Sequence, residues 1–353
     1  MKIEDIDVNF KVKGQIPEGT EFYRPGESPL ALYGVFMENG KYRRMPEKTA
    51  AAVSKEVYAL HANTAGGRLR FRTDSPWISV CAELDQVCRM SHFALTGSAG
   101  FDLYRRENGK FRYVGTFIPE YDMISRLQAT VYTDTEGMQD YLIHFPLYTD
   151  VKSVLIGFKE GSGTADAEPY CPAAPFVTYG SSITQGGCAS RPGNSYQNIL
   201  SRRLNADHIN LGFSGSALGE DPMMAYIAGL SMSAFILDYD FNAPTGEHLW
   251  KTHEKAYRTV RNQNPDLPIL LLSRPRFYLN DEDRERLAII RATYEKAKAE
   301  GDRNLYFITG TELMQYCGQE GTVDGTHPTD FGFYSMAKVI GDFLEKLGLY
   351  TSR

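Results

Sequence analysis

The sequence has no long hydrophobic run: its longest stretch of large aliphatic residues is 269–272, far short of the ~20 residues needed to cross a bilayer. It has no excess of positive charge either. Lys and Arg number 38 against 44 Asp and Glu, a net charge of −6, so the overall field attracts neither nucleic acid nor an anionic membrane. Cysteine is scarce, with five residues (Cys81, Cys88, Cys171, Cys188, Cys317) and no Cys-x-x-Cys pair, which argues against both a zinc site and a disulfide framework. His248 and His253 are five apart and do not share a helix face as ligands. A phosphate-binding loop is missing as well, since Gly212, Gly215 and Gly219 lack the lysine and the spacing. No metal and no cofactor is expected. The segment Met1-Lys2-Ile3-Glu4-Asp5-Ile6-Asp7 places acids where an export signal needs a basic start and an apolar run, so a cytoplasmic chain is expected.

What is present is the composition of a globular protein, 42% hydrophobic and 23% charged. At ~100–200 residues per domain the length suits two domains. Short β-rich runs at 57–60, 68–72, 77–81, 111–114 and 141–145 are separated by turns such as Gly66-Gly67, Asn108-Gly109 and Thr135-Glu136-Gly137. That pattern predicts an antiparallel sandwich with no helix interrupting it. The polar segment 159–169 and Pro172-Ala173-Ala174-Pro175 then read as a linker or an ordered crossover. They divide the chain into an all-β domain, 1–168, and a second domain, 169–353. Beyond them, apolar runs at 176–179, 208–211, 234–237, 269–272 and 305–308 alternate with helical patterns at 195–204, 247–262, 281–300 and 329–347. Strict alternation predicts an α/β fold, a parallel sheet covered by helices on both faces.

The candidate chemistry sits after these strands. Tyr179-Gly180-Ser181-Ser182 follows the first, and a serine on a strand-to-helix turn exposes its hydroxyl beyond the carboxyl edge of the sheet, where ligands bind. Taken alone, such a turn is more often just a helix cap, and Ser181 rivals Ser182 as nucleophile. Asp324-Gly325-Thr326-His327-Pro328 sets a carboxylate three residues before an imidazole. A tight loop can bring it to Nδ1, leaving Nε2 to accept a serine proton. The alternative is a turn in which Asp324 only caps backbone N–H groups. Gly215, after the second strand, and Asn242, after the third, are candidate donors to an oxyanion, the first through its N–H and the second through its amide. Trp250 is a candidate for stacking on a sugar, and Arg274, in Arg274-Pro275-Arg276, for lining the cleft. Either could equally serve structure alone.

Together, Ser182, Gly215, Asn242, Asp324 and His327 resemble in order and position the SGNH (GDSL) hydrolase family over residues 174–348. The resemblance implies a flavodoxin-like domain with Ser182 as nucleophile, His327 as base and Asp324 as its orienter. It also implies that the Ser182 N–H, the Gly215 N–H and the Asn242 amide form the oxyanion hole. It favours Ser182 over Ser181. Two blocks depart from the pattern: Gly-Asp-Ser becomes Gly180-Ser181-Ser182, and Gly-x-Asn-Asp becomes Asp240-Phe241-Asn242-Ala243. In the first half, Gly100-Phe101-Asp102-Leu103-Tyr104 resembles the Gly-x-Asp-Leu-Tyr motif of the jelly-roll-like sandwich domain that precedes one branch of these esterases. This order of domains is similar to family 2 carbohydrate esterases. The implied function is serine-dependent hydrolysis of small acyl esters, acetyl esters of oligosaccharides first among them. A broad small-ester esterase or thioesterase, or a non-catalytic carbohydrate-binding protein, are the alternatives. The implied partner is a small-molecule or oligosaccharide ester, with no nucleic acid and no membrane, and an assembly of identical copies is left open.

Overall fold

The structure, a computed structural model, describes residues 3–7, 11, 14–85, 87–134 and 136–350. Met1, Lys2 and Thr135, which entered the readings of the amino terminus and of one turn, lie outside the described residues. The two-stranded pair Phe36–Glu38 and Lys41–Arg43 and two larger antiparallel sheets lie in the first half. One runs in the order Thr20–Tyr23, Asp150–Lys159, Trp77–Asp85, Arg126–Tyr132; the other in the order Thr164–Ala165, Arg68–Thr73, Gln139–His144, Phe101–Glu107, Lys110–Phe117, with Ala31–Tyr33 also on Arg68–Thr73. Along Trp77–Asp85 the residues Ile78, Val80, Ala82 and Leu84 are buried, the period of two expected where one face of a strand meets a core. They pack with Leu69, Phe71, Phe101, Tyr141 and Ile156.

One expectation for this half fails. Residues 57–60 are not a strand but lie in the helix Lys55–Leu60, started by Ser54, whose hydroxyl accepts from the Val57 N–H at 3.0 Å. A four-residue apolar run has no period of its own, and the cap decides it. Helices Glu47–Val53 and Leu95–Ser98 also interrupt the sandwich.

The second half holds a five-stranded parallel sheet in the order His208–Gly212, Phe176–Gly180, Ala234–Asp238, Ile269–Leu272, Leu305–Ile308. In chain order this is 2-1-3-4-5, the flavodoxin-like arrangement, whose ligand crevice opens where the order reverses beside the first strand. Register places Gly180 opposite both Gly212 and Asp238, so the loops after the first three strands leave the sheet side by side. Helices cover both faces. Val177, Tyr179, Leu211 and Leu237 pack under Gly246–Gln263 and Asp281–Ala299, while Phe176, Ile236 and Leu270 pack under Tyr196–Leu204 and Asp330–Lys346. No described helix is long and apolar enough to cross a membrane.

The two halves share cores. Phe93, Leu147 and Tyr148 belong to one cluster beneath the parallel sheet, and Met45, Ala50 and Val57 to the other. A polar clamp accompanies this apolar contact. The fully buried Asp102 accepts from the Gly193 N–H (2.8 Å), from Arg191 Nη1 (3.2 Å) and from His144 Nδ1 (2.7 Å). Burial pushes His144 down to about 4, against the pull of the adjacent carboxylate, so the neutral ring donates its Nδ1–H. A Cβ on Gly193 would stand 2.6 Å from the Tyr104 ring, so only glycine lets the backbone approach Asp102 this closely.

Candidate active site

Strand Phe176–Gly180 ends in a short helix, Ser182–Gln185, and the two serines at the junction separate into distinct tasks. Ser181 is buried and its hydroxyl accepts from the Ile183 N–H at 3.2 Å, the geometry of an N-cap. Ser182, at the first helical position, has its Oγ 3.0 Å from His327 Nε2. Its own N–H has no carbonyl one turn earlier in the helix to bond and stays available.

His327 stands on the loop before helix Asp330–Lys346. Asp324 Oδ2 lies 2.7 Å from His327 Nδ1, while Oδ1 accepts from the N–H groups of Thr326 (2.9 Å) and His327 (2.7 Å). Partial burial pushes the Asp324 carboxyl up, but these hydrogen bonds outweigh it and hold the group at about 2. The carboxylate is therefore ionised at neutral pH. The imidazole has its Nδ1 beside an acceptor and its Nε2 facing the serine, so a proton can pass from Oγ to Nε2.

The donor loops lie next to this relay. Phe213 N–H bonds Gly180 O at 2.9 Å, and Asn242 Nδ2 donates to Phe213 O at 2.8 Å. One amide hydrogen of Asn242 is thus engaged and the other is not. Gly215 has φ +68°, with no atom within 4 Å of the position a Cβ would take. Glycine is favoured there by the backbone.

The altered third block is rigidly held. Asp240 Oδ2 accepts from the Arg274 N–H (2.9 Å), and Arg286 donates to Asp240 O (3.1 Å) and Ala243 O (2.9 Å). The Arg274 guanidinium sits over the Phe241 ring at 4.6 Å and bonds Asp283 at 3.0 Å. Arg274 is 7% exposed. It shapes the Asn242 turn from behind and does not line a cleft. Trp250, 69% exposed, belongs to a groove between helices Gly246–Gln263 and Asp281–Ala299 with Glu254, Ile289 and Lys296. The structure does not bring it to the serine.

Several neighbours carry no signal in the sequence. Gln185, fully buried, donates to Asn63 Oδ1 (2.9 Å) and Leu147 O (3.2 Å), and accepts from the Ser214 N–H (3.0 Å). Tyr148 OH donates to Ser182 O at 3.1 Å. Beneath the helix, Asp238 accepts from Thr184 Oγ1 (2.9 Å) and Tyr196 OH (3.3 Å), and burial pushes its carboxyl up to about 7. From the sandwich, His92 reaches the rim, its ring centroid 5.8 Å from that of His327 and its Nε2 3.8 Å from Asp324 Oδ2.

Comparison with known proteins agrees with this fold. Residues 173–345 match the GDSL-like Lipase/Acylhydrolase family, and residues 20–163 match the N-terminus of SGNH-hydrolase-type esterases. A structure from Bacteroides ovatus ATCC 8483 named as a GDSL-like lipase is similar, with TM-score 0.84 and 28% identity over 94% of this chain and 99% of that one. The salicylyl-acyltransferase SsfX3 of a tetracycline biosynthetic pathway has TM-score 0.75 and 19% identity over 96% and 100%. A family two carbohydrate esterase from Clostridium thermocellum, in complex with cellohexaose, has TM-score 0.56 and 16% identity over 81% and 94%. No curated protein matches the chain. Parallel sheet, preceding sandwich and both motif blocks lead to one assignment: the chain belongs to the GDSL-like lipase/acylhydrolase, or SGNH, family of ester hydrolases, in the form that carries the Gly-x-Asp-Leu-Tyr domain ahead of the hydrolase domain.

Proposed function

We propose that this chain is a serine esterase that removes small acyl groups, acetyl first, from carbohydrate esters through an acyl-enzyme. The observation that carries the reading is the Ser182–His327–Asp324 relay, with contacts of 3.0 and 2.7 Å. His327 Nε2 takes the Ser182 proton as Oγ attacks the carbonyl. The N–H groups of Ser182 and Gly215 and the free amide hydrogen of Asn242 receive the oxyanion. The tetrahedral intermediate collapses, His327 returns the proton to the leaving alcohol, and water clears the acyl group by the same steps. The carbohydrate half of the reading is supported by the shared architecture of the family two esterase bound to cellohexaose.

A broad small-ester esterase is the second reading, favoured by the placement of Trp250 in a groove with Glu254, Ile289 and Lys296 instead of beside Ser182. Acetate release from a panel of acetylated oligosaccharides, with 4-nitrophenyl acetate as control, separates the two. Sugar-dependent release that vanishes in Ser182→Ala supports the carbohydrate esterase. Turnover of the generic ester alone selects the second reading. Turnover that survives in Ser182→Ala removes both.

A further inference from the structure

We infer that His92, Cys188 and His327 form a binding site for a thiophilic divalent cation of the zinc class, and that a cation held there takes His327 out of its relay and stops hydrolysis. The binding half stands on geometry alone, whereas the inhibitory half rests on the proposed esterase reaction. One ring nitrogen from each histidine and the Cys188 sulfur lie within 4.8 Å of one another. A point therefore exists within about 2.8 Å of all three, against bond lengths of ~2.0–2.3 Å for zinc to nitrogen and sulfur. Closing the site needs a shift of well under 1 Å per ligand. His92 can supply much of it, since its side chain is 42% exposed.

The donor set selects the cation. Two imidazoles and a thiol suit zinc and its relatives, while magnesium and calcium require oxygen. Electrostatics point the same way. Asp324 lies 3.8 Å from His92 and 2.7 Å from His327, so a carboxylate already stands beside the cluster to receive a positive charge and to anchor an imidazole. On binding, the thiol proton leaves to solvent, and the metal offsets both the thiolate and the Asp324 carboxylate. The exposed rim at His92 leaves a fourth position open to water.

The consequence for the relay does not depend on which nitrogen of His327 is taken. Nε2 faces Ser182 and Nδ1 faces Asp324, so ligation at either breaks one of the two contacts the base needs. The three ligands come from the sandwich, the loop after the nucleophile and the loop of the base, and no sequence spacing reveals them together.

The test uses the full chain stripped of metal, without thiol reductant. Titration with Co2+ is expected to give one equivalent of a thiolate-to-cobalt charge-transfer band, absent in Cys188→Ser and requiring at least about tenfold more Co2+ in His92→Gln. In parallel, Zn2+ is expected to abolish hydrolysis of 4-nitrophenyl acetate reversibly, with EDTA restoring it. In each variant, measured against its own metal-free rate, the half-inhibiting Zn2+ concentration should rise by at least about tenfold. No band in the folded wild type at saturating Co2+ overturns the site, as does a half-inhibiting Zn2+ concentration unchanged in His92→Gln. Should Cys188→Ser fail to fold, His92→Gln, altered on an exposed side chain, decides alone. A band without any hydrolase activity leaves the cation site standing and removes the esterase reading instead.

Discussion

Asp324→Asn isolates the relay from the turn that carries it. In the native loop Oδ1 accepts the Thr326 and His327 N–H groups, and Oδ2 alone faces Nδ1. Asparagine can keep its carbonyl oxygen on the two backbone donors. Its amide then confronts Nδ1 with N–H groups, so the imidazole must accept there and carry its proton on Nε2, the atom that has to be empty when Ser182 is deprotonated. With the tautomer reversed, kcat should fall by ~10⁴, about 5 kcal/mol of barrier. The fold should barely change. The carboxyl is held at about 2 against an unfolded value near 3.8, a contribution fully present above pH ~4 and lost as pH falls through 2. The group is about one-third exposed, and solvent screening reduces the stability at neutral pH to about 1 kcal/mol, a fall of a few degrees in Tm. Steady-state hydrolysis of 4-nitrophenyl acetate and a thermal melt, run on the same sample at pH 7.5, measure both. A loss of kcat smaller than about a hundredfold with the melt unchanged would refute the orienting role.

The other predictions follow from single contacts. Ser181→Ala should lower stability by ~1 kcal/mol through the lost cap and leave turnover within a few-fold, whereas Ser182→Ala should leave stability intact and cut kcat by at least ~10⁴; paired melts and rates check this. Asn242→Ala should reduce kcat by ~10²–10³ with KM little changed, and an effect confined to KM would show that the amide meets only the bound substrate. Asp238, raised to about 7, binds more protons folded than unfolded between pH ~4 and 7. Its contribution is therefore fully present below ~4 and lost as pH rises towards 7, by up to about 4 kcal/mol. Melts at pH 5 and pH 8 should show Asp238→Asn gaining on the wild type at the higher pH, and equal differences at the two values would place the Asp238 proton elsewhere.

The contacts of the proposed relay were legible because its parts are local. A serine on a strand-to-helix turn, and a carboxylate three residues from an imidazole, each generate their geometry from adjacent residues, and parallel-sheet topology then brings the two loops to one edge. The same holds for the long helices, whose patterns at 247–262 and 281–300 match Gly246–Gln263 and Asp281–Ala299 closely. Trp250 shows where position in the chain misleads. Leu249, His253, Ala256, Tyr257 and Val260 occupy the inner face of its helix, and one residue beyond Leu249 is rotated by ~100° towards the outside. The helical period held that information, which proximity to Asn242 concealed. Arg274 misled differently, because a cation after a strand reads as cleft lining until its buried partners, Asp240 and Asp283, are seen. His92, Tyr148 and Gln185 had no local signal, since each acts across the boundary between the halves of the chain.

That boundary accounts for the sandwich domain better than substrate binding alone does. Gln185 is buried one turn after Ser182, and among the described residues its amide donates to Asn63 Oδ1 and Leu147 O, both from the sandwich half. Its carbonyl oxygen takes the Ser214 N–H, one residue before Gly215. The same glutamine therefore ties the helix of Ser182 to the loop of Gly215, and the sandwich fixes the glutamine. Tyr148 bonds the carbonyl of Ser182 itself, and Arg44 donates to Asn210 O and Gly212 O at the end of the strand that feeds the oxyanion loop. A buried polar group left without its partner costs ~1–3 kcal/mol. A hydrolase half of this sequence standing alone would leave several such groups open around Ser182. The first domain is thus part of what holds the loops of the proposed site in register, and the Gly-x-Asp-Leu-Tyr motif, through Asp102 on Gly193 and Arg191, anchors it to the segment that leads from Ser182 into helix Tyr196–Leu204.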